Sequence, residues 1–297
     1  MMIQCKWFSA LCEEAMPYTP TVRGRQLARE LRNLREDAGM TGEQAAAKMS
    51  WEQSKISRME TAKMRITSGE VMELCETYGI AGDKRDQLVL LARSARQRDW
   101  WRDYSDYVKK GFIDFLAFEA EAQTSSGYEA QVIPGILQCP EYARAILLGT
   151  ETRGSDEVDR GVEVRLARQQ RVTQSKDPLH VWAVIDEAVL HRVIDPPGVM
   201  AAQLKHLLDL GELGNVSIQV LPYRAGIHAA IDGPFVLLTF DGYPDLLYIE
   251  HLVGCVYLEK PAETSKGRMI FDHLRSAAFN TGDSSVLIRE QVKELTR

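Results

Sequence analysis

The chain reads as an α+β protein: an all-α N-terminal domain of five short helices, followed by a mixed α/β C-terminal domain built around a central sheet. Two patterns predict this. Up to about residue 95, apolar side chains recur every three or four residues between cap and stop signals, the period of helices packed on one face. From Leu179 onward, apolar or alternating runs of strand length are separated by a helical segment and by glycine turns. With 297 residues and 45 % hydrophobic content, the chain has apolar surface for more than one core at domain sizes of ~100 to 200 residues. The divisions read from composition are a flexible arm over residues 1–20, a helical domain over 21–98 and a second domain over 99–297.

The arm lacks sustained periodicity and ends in Pro17-Tyr18-Thr19-Pro20. Leu27, Leu31, Leu34 and Ala38 then fall on one face of a first helix, and Gly39 stops it. Thr41 and Gln44 form a capping box, in which a hydroxyl takes a free backbone N–H and an amide reaches back to the cap. That opens a short second helix to about Lys48, whose Ala45, Ala46 and Ala47 let another helix cross closely. A third helix carries Ile56 and Met59 inward. Thr67 and Glu70 cap a fourth, with Val71, Leu74 and Cys75 on its face and Gly79 at its end. A fifth begins after Asp83 and presents Leu88, Leu91 and Ala95.

Charge and paired tryptophans over Arg96–Asp103 mark the change of domain. Helices are expected through Phe112–Phe118, from about Pro140 to Leu148, and from Ser155 to about Val172, with a turn at Pro134-Gly135. A strand from Leu179, a helix with Leu204 and Leu207, and a strand from Asn215 form a crossover. Phe235–Phe240, Leu246–Ile249 and Val256–Leu258 read as antiparallel strands, and two helices close the chain over 262–277 and 284–295.

Composition excludes several classes. No apolar run approaches the ~18 residues of a membrane span, and the start lacks the order of a signal peptide, so a cytoplasmic protein is expected. Cys5, Cys12, Cys75, Cys139 and Cys255 are scattered, with no C-x-x-C pair and no histidine at zinc-ligand spacing; reduced, packed thiols and no metal or other cofactor are expected. The formal net charge of −6 hides an asymmetry: residues 21–66 hold ten Lys and Arg against six acids, a local +4. Phosphate binding responds to such local positive charge, so the N-terminal part alone suits DNA.

Within it, Gln53-Ser54-Lys55-Ile56-Ser57-Arg58-Met59-Glu60 puts Gln53, Ser54 and Arg58 on one polar face while Ile56 and Met59 point inward. A helix that reads the major groove needs this division. Gln suits adenine and Arg suits guanine, each pairing worth ~1 to 3 kcal/mol of discrimination. Gln53, Ser54 and Arg58 are the candidate base contacts, and Thr41, Lys55, Ser57 and Lys63 the candidate phosphate contacts.

The order T-x-x-Q, K-I-S-R-M-E, I-T-x-x-E-V and Y-G over Thr41–Gly79 resembles the helix-turn-helix of xenobiotic-response-element regulators. The rest of the chain is similar to an actinomycete branch, the WhiJ-like, antitoxin-like transcriptional regulators. Residues 132–138, 142–145, 165–169, 186–190, 220–222 with Gly226, 233–235 and 248–250 carry that similarity. The resemblance implies a sequence-specific regulator of double-stranded DNA, with a second domain of unassigned role and a small companion protein encoded nearby; a homodimer on a palindromic site is expected. Three departures bear on the DNA site. Gly42 replaces a glutamine that contacts phosphate; Ser50 and Glu52 replace a glycine and a small hydroxyl residue at the turn; Ala62 replaces a glycine, at a cost of ~1 kcal/mol if the backbone there is left-handed.

The C-terminal domain is expected to respond to a partner protein or a small ligand. Trp100, Trp101, Tyr104 and Tyr107 fit a core better than a ligand pocket. Asp186, Glu187 and His191 lack a nucleophile elbow or phosphate loop and fit a helix start, so no enzyme activity is expected. By resemblance, His228 and Glu250 are pocket candidates. The rival readings are an antitoxin-like protein that sequesters its companion, with DNA binding serving autoregulation, and an enzyme whose catalytic domain spans residues 100–297.

Overall fold

The computed structural model describes residues 21–95, 101, 104, 107, 111–150, 154–174, 176–241, 244–252 and 254–297. The arm expected over residues 1–20, and Trp100, lie outside the described residues. The chain divides into two compact units, Met1–Arg96 and Gln97–Arg297.

In the first unit α1 (Val22–Asp37), α2 (Gly42–Lys48), α3 (Gln53–Glu60), α4 (Ser68–Tyr78) and α5 (Gly82–Ser94) surround one core. Leu27, Leu31, Ala45, Ala46, Ile56, Met59, Val71, Leu74 and Leu88 meet there, so each helix contributes its apolar stripe. Thr21 starts α1 by accepting the Gly24 N–H at 3.0 Å. Both expected capping boxes are present: Thr41 with Gln44, and Thr67 with Glu70.

The first four helices end alike. After each, a left-handed residue lets the next N–H bond back to a carbonyl five positions earlier: Met40 to Arg35, Trp51 to Ala46, Lys63 to Arg58 and Ile80 to Cys75. Glycine serves at 39 and 79, but Ser50 (φ 56°) and Ala62 (φ 52°) adopt that backbone at the two ends that frame α3.

The second unit contains α6 (Phe112–Glu121), β1 (Thr124–Glu129), α7 (Pro140–Thr150), α8 (Ser155–Thr173), β2 (His180–Asp186), α9 (Glu187–Leu190), α10 (Val199–Gly211), β3 (Val216–Leu221), β4 (Phe235–Thr239), β5 (Leu246–His251), β6 (Gly254–Leu258), α11 (Pro261–Ala277) and α12 (Thr281–Leu295). Its strands form one six-stranded mixed sheet in the order β3-β2-β1-β4-β5-β6. β1, β2 and β3 run parallel, while β4, β5 and β6 pair antiparallel on the other side of β1.

β1 is missing from the periodicity reading. Its sequence, Thr-Ser-Ser-Gly-Tyr-Glu, carries no apolar alternation, yet it is the strand on which the parallel and antiparallel halves meet. Gly127 is needed there: a Cβ would stand 3.1 Å from the Phe235 carbonyl oxygen on the neighbouring strand. One sheet face packs on α11 through Tyr128, Val184, Leu237, Leu247 and Phe271. α6, α8 and a 3-10 turn (Gly135–Leu137) lie over the other, and glutamines hold the loop around that turn. Buried Gln203 accepts the Cys139 N–H at 2.7 Å and donates to the Leu137 carbonyl at 2.8 Å, and Gln138 donates to the Ile133 carbonyl at 2.7 Å. Each pairing satisfies a loop backbone group that would otherwise be buried unbonded.

Candidate nucleic-acid interface

α3 is held from beneath by Ile56 and Met59, each 1 % exposed, while Gln53, Ser54, Ser57 and Arg58 are exposed. Spacings of one, four and five residues put these four on one side of the helix. The sequence expectation for the base-reading trio and for Ser57 thus coincides with a single solvent-facing surface. Glu52, the residue before α3, makes no side-chain cap bond. A serine or threonine there would satisfy an N–H that α3 leaves open.

Thr41 is exposed, but its hydroxyl oxygen accepts the Gln44 N–H at 3.2 Å and its own N–H is taken by Gln44 Oε1 at 2.8 Å. A phosphate would be met by the remaining hydroxyl proton. A Cβ on Gly42 would lie 3.8 Å from Gln53 Nε2, so the start of α2 adjoins the start of α3.

Lys55 sits differently from the phosphate contact expected of it. Its ammonium is 2.8 Å from Glu70 Oε1 and 3.6 Å above the Trp51 ring, which draws it back across the fold. Burial works against the charge on Glu70, yet Lys55 and the Thr67 bonds outweigh it and hold the carboxyl below its usual range. Instead Lys48, Arg58, Lys63 and Arg65 are exposed with no ion-pair partner among the described residues. Lys63 therefore keeps its expected availability, and Lys48 and Arg65 join it.

Arg35 binds Glu60 at the end of α3. No local pattern signals that pair, because its members are 25 residues apart. The bond to Glu60 is the main cause that raises the Arg35 pKa above its ordinary value.

In the second unit Trp101 is buried against Leu116, Ala117 and Val164, with Tyr104 packed alongside, which is a core role. Asp186 caps α9 by accepting the Ala188 N–H at 2.9 Å, and Glu187 accepts the Tyr223 N–H at 2.7 Å. His191 stacks on Tyr223 at 6.0 Å. Asp186 also receives the Tyr128 hydroxyl at 3.3 Å, and His228 Nε2 lies 3.2 Å from the same hydroxyl. Burial foremost raises the Tyr128 pKa, so this phenol remains protonated and braces the end of β2 to the loop that holds His228. His228 thus joins the α11 side of the sheet, whereas Glu250 lines a cavity on the opposite side.

Comparison with known families gives two matches. Residues 26–88 match a helix-turn-helix domain, and residues 112–290 match a domain of unknown function, DUF5753. No curated protein and no solved structure matches the chain. Among the described residues, no helix is long and apolar enough to cross a membrane.

Proposed function

The chain belongs to the DUF5753 family, and we propose that it is a cytoplasmic, sequence-specific transcriptional regulator of the xenobiotic-response-element type, in the WhiJ-like branch. The match of residues 26–88 to a helix-turn-helix domain supports DNA binding. α3 enters the major groove, with Gln53, Ser54 and Arg58 at base edges and Ser57, Thr41 and Lys63 at phosphates. The observation that carries this reading is the division of α3: four exposed polar groups above two buried apolar anchors, bordered by cations with no ion-pair partner among the described residues. In this reading the chain acts as a homodimer, and its second unit biases DNA affinity by favouring one of two states. No catalytic step belongs to the reading, since Asp186 and Glu187 both hold backbone N–H groups.

Selection of bound fragments from a random DNA pool tests it. The full chain is expected to enrich a palindromic sequence with half-sites about one DNA turn, ~10 base pairs, apart. Recovery of an unenriched pool would refute sequence-specific binding.

A second reading, in which the C-terminal unit holds a small companion polypeptide as antitoxins do, draws support from two neighbouring loops. Val193 (87 % exposed), Tyr223 (60 %), Ile227 (91 %) and Ile231 (63 %) present apolar surface to solvent there, and the His191–Tyr223 stack joins the loops. Co-expression with the companion, comparing wild type with Ile227→Asp, tests that reading.

A further inference from the structure

Between the sheet and its cover of α6, α8 and the 3-10 turn lies a cavity of about 660 Å³, within the ~300 to 1,000 Å³ usual for small-ligand sites. The groups that line it carry charge of both signs. Arg168 on α8 forms a buried fork with Glu119 on α6, Nε to Oε2 at 2.6 Å and Nη2 to Oε1 at 2.8 Å, so this cation is neutralised by its own carboxylate. Arg165 donates to Gln138 Oε1 at 2.8 Å and to the Gly161 carbonyl at 3.3 Å. Glu250 accepts the Tyr248 hydroxyl at 3.1 Å. Glu129, at the end of β1, borders the cavity, and its carboxyl group makes no hydrogen bond or ion pair with a side chain or loop group among the described residues.

Strand register relates the two carboxylates. Tyr128 pairs with Phe235 and Val236 with Tyr248; continued along the strands, these registers set Glu129 and Glu250 on either side of Pro234. They are then two strand spacings apart, ~10 Å between backbones, a gap that two glutamate side chains close around one cation. A metal ion is a poor match, because no group of three His, Cys, Asp or Glu side chains suited to one occurs among the described residues. Apolar and aromatic side chains supply another part of the wall: Phe115 and Tyr248 line it with ring centroids 4.4 Å apart.

We propose that this cavity binds a small organic cation, an amine whose ammonium docks between Glu129 and Glu250 and whose apolar body lies against Phe115 and Tyr248. That this ligand is an effector rests on the regulatory reading above; the chemistry of the cavity does not. Binding is coupled to protons. Burial foremost, then the Glu250 charge, push the Glu129 carboxyl up to about 8 against the pull of Arg168. The charged or titratable groups that line the cavity around it are Glu250, Tyr248 and His251 from β5, Arg165 and Arg168 from α8, and Glu119 from α6. An arriving ammonium favours the ionised form of Glu129, so binding releases a proton at neutral pH and tightens as pH rises toward 8.

The test uses the full chain with phenethylamine, phenethyl alcohol and hydrocinnamate, followed by thermal unfolding and calorimetry. The amine is expected to bind and raise the unfolding midpoint at millimolar concentration, with the alcohol and the acid far weaker. Glu129→Gln should unfold no earlier than wild type yet bind the amine about 10- to 100-fold more weakly, the scale of removing a bond to a charged group; Glu250→Gln should weaken it in the same direction. Equal binding of the three probes, no binding of the amine, or wild-type affinity in Glu129→Gln overturns the proposal. Binding to the selected DNA is measured on the same samples. A chain that binds DNA but no amine sinks the cavity proposal alone, and one that prefers the amine but ignores DNA sinks the regulatory reading alone.

Discussion

Arg35, in the last turn of α1, grips Glu60, the last residue of α3, through a two-bond fork, with Nε donating to Oε1 at 2.6 Å and Nη2 to Oε2 at 2.8 Å. A third bond runs from Nη1 to the Met40 carbonyl at 2.6 Å, and both side chains are only 11 % exposed. One guanidinium therefore fixes the turn after α1 and the far end of the helix assigned to the groove. Paired acid and base at this depth are weaker evidence for net stability than for a defined geometry. Removing one partner is costly, because it strands the other.

Arg35→Ala is thus expected to destabilise the N-terminal unit by about 2 to 3 kcal/mol. It should weaken DNA binding for all sequences alike, since no base reader is touched. Arg35→Lys keeps the charge but loses the planar fork, and should recover only part of the stability. Chemical denaturation of the full chain, read by far-ultraviolet circular dichroism, checks both variants. A loss below about 0.5 kcal/mol, the scale of a neutral surface change, would make the fork incidental.

Ser50 and Ala62 carry left-handed backbone that glycine adopts freely. Each Cβ is strained there by roughly 1 kcal/mol, partly offset by the greater unfolded freedom of glycine. Ser50→Gly and Ala62→Gly should each raise stability by up to about 0.5 kcal/mol, with near-additive effect. Lower denaturation midpoints in both variants would contradict the strain.

Salt titration separates the lysines. Removing a cation that neutralises one phosphate should reduce the slope of log affinity against log salt by about 0.9. Lys63→Ala should show that reduction, and Lys48→Ala tests whether this exposed cation joins the footprint. Lys55→Ala should instead leave the slope nearly unchanged and destabilise the fold, because its charge rests on Glu70 and Trp51. A slope reduced by a full unit in Lys55→Ala would show that its ammonium leaves Glu70 for the phosphate.

Glu129 predicts a pH signature. Its folded pKa is raised from 4.5 to about 8, so the folded chain keeps a proton that the unfolded chain releases, and the burden on stability grows from pH 4.5 upward and levels off above 8. Glu129→Gln should match wild type near pH 4 and gain on it through that window, by at most about 5 kcal/mol. Parallel pH profiles for the two proteins would contradict the raised value.

Local signals carried the helical unit well. The stripe of Leu27 and Leu31, the boxes at Thr41 and Thr67, and the split of α3 between Ile56 and Gln53 are all set by neighbours within a turn or two. Pairings across the fold left no such trace: Arg35 meets Glu60 and Lys55 meets Glu70 only after α1, α3 and α4 have packed. β1 escaped for another reason. Ser125 and Gly127 take their place in mid-sheet because small side chains fit beneath the cavity and beside β4, and that requirement comes from tertiary neighbours rather than from apolar period. Glu250 stood out only by resemblance, and Glu129 not at all, since their relationship passes through two strand registers.

The most direct test of the central claim, that the exposed side of α3 reads base edges, is a comparison of the DNA sequences selected by wild type and by Arg58→Ala. Preference should relax at a single base position per half-site, with a loss of ~1 to 3 kcal/mol on the preferred sequence and little change on unrelated DNA. An unaltered sequence preference in Arg58→Ala, or an equal loss on every DNA, would contradict it.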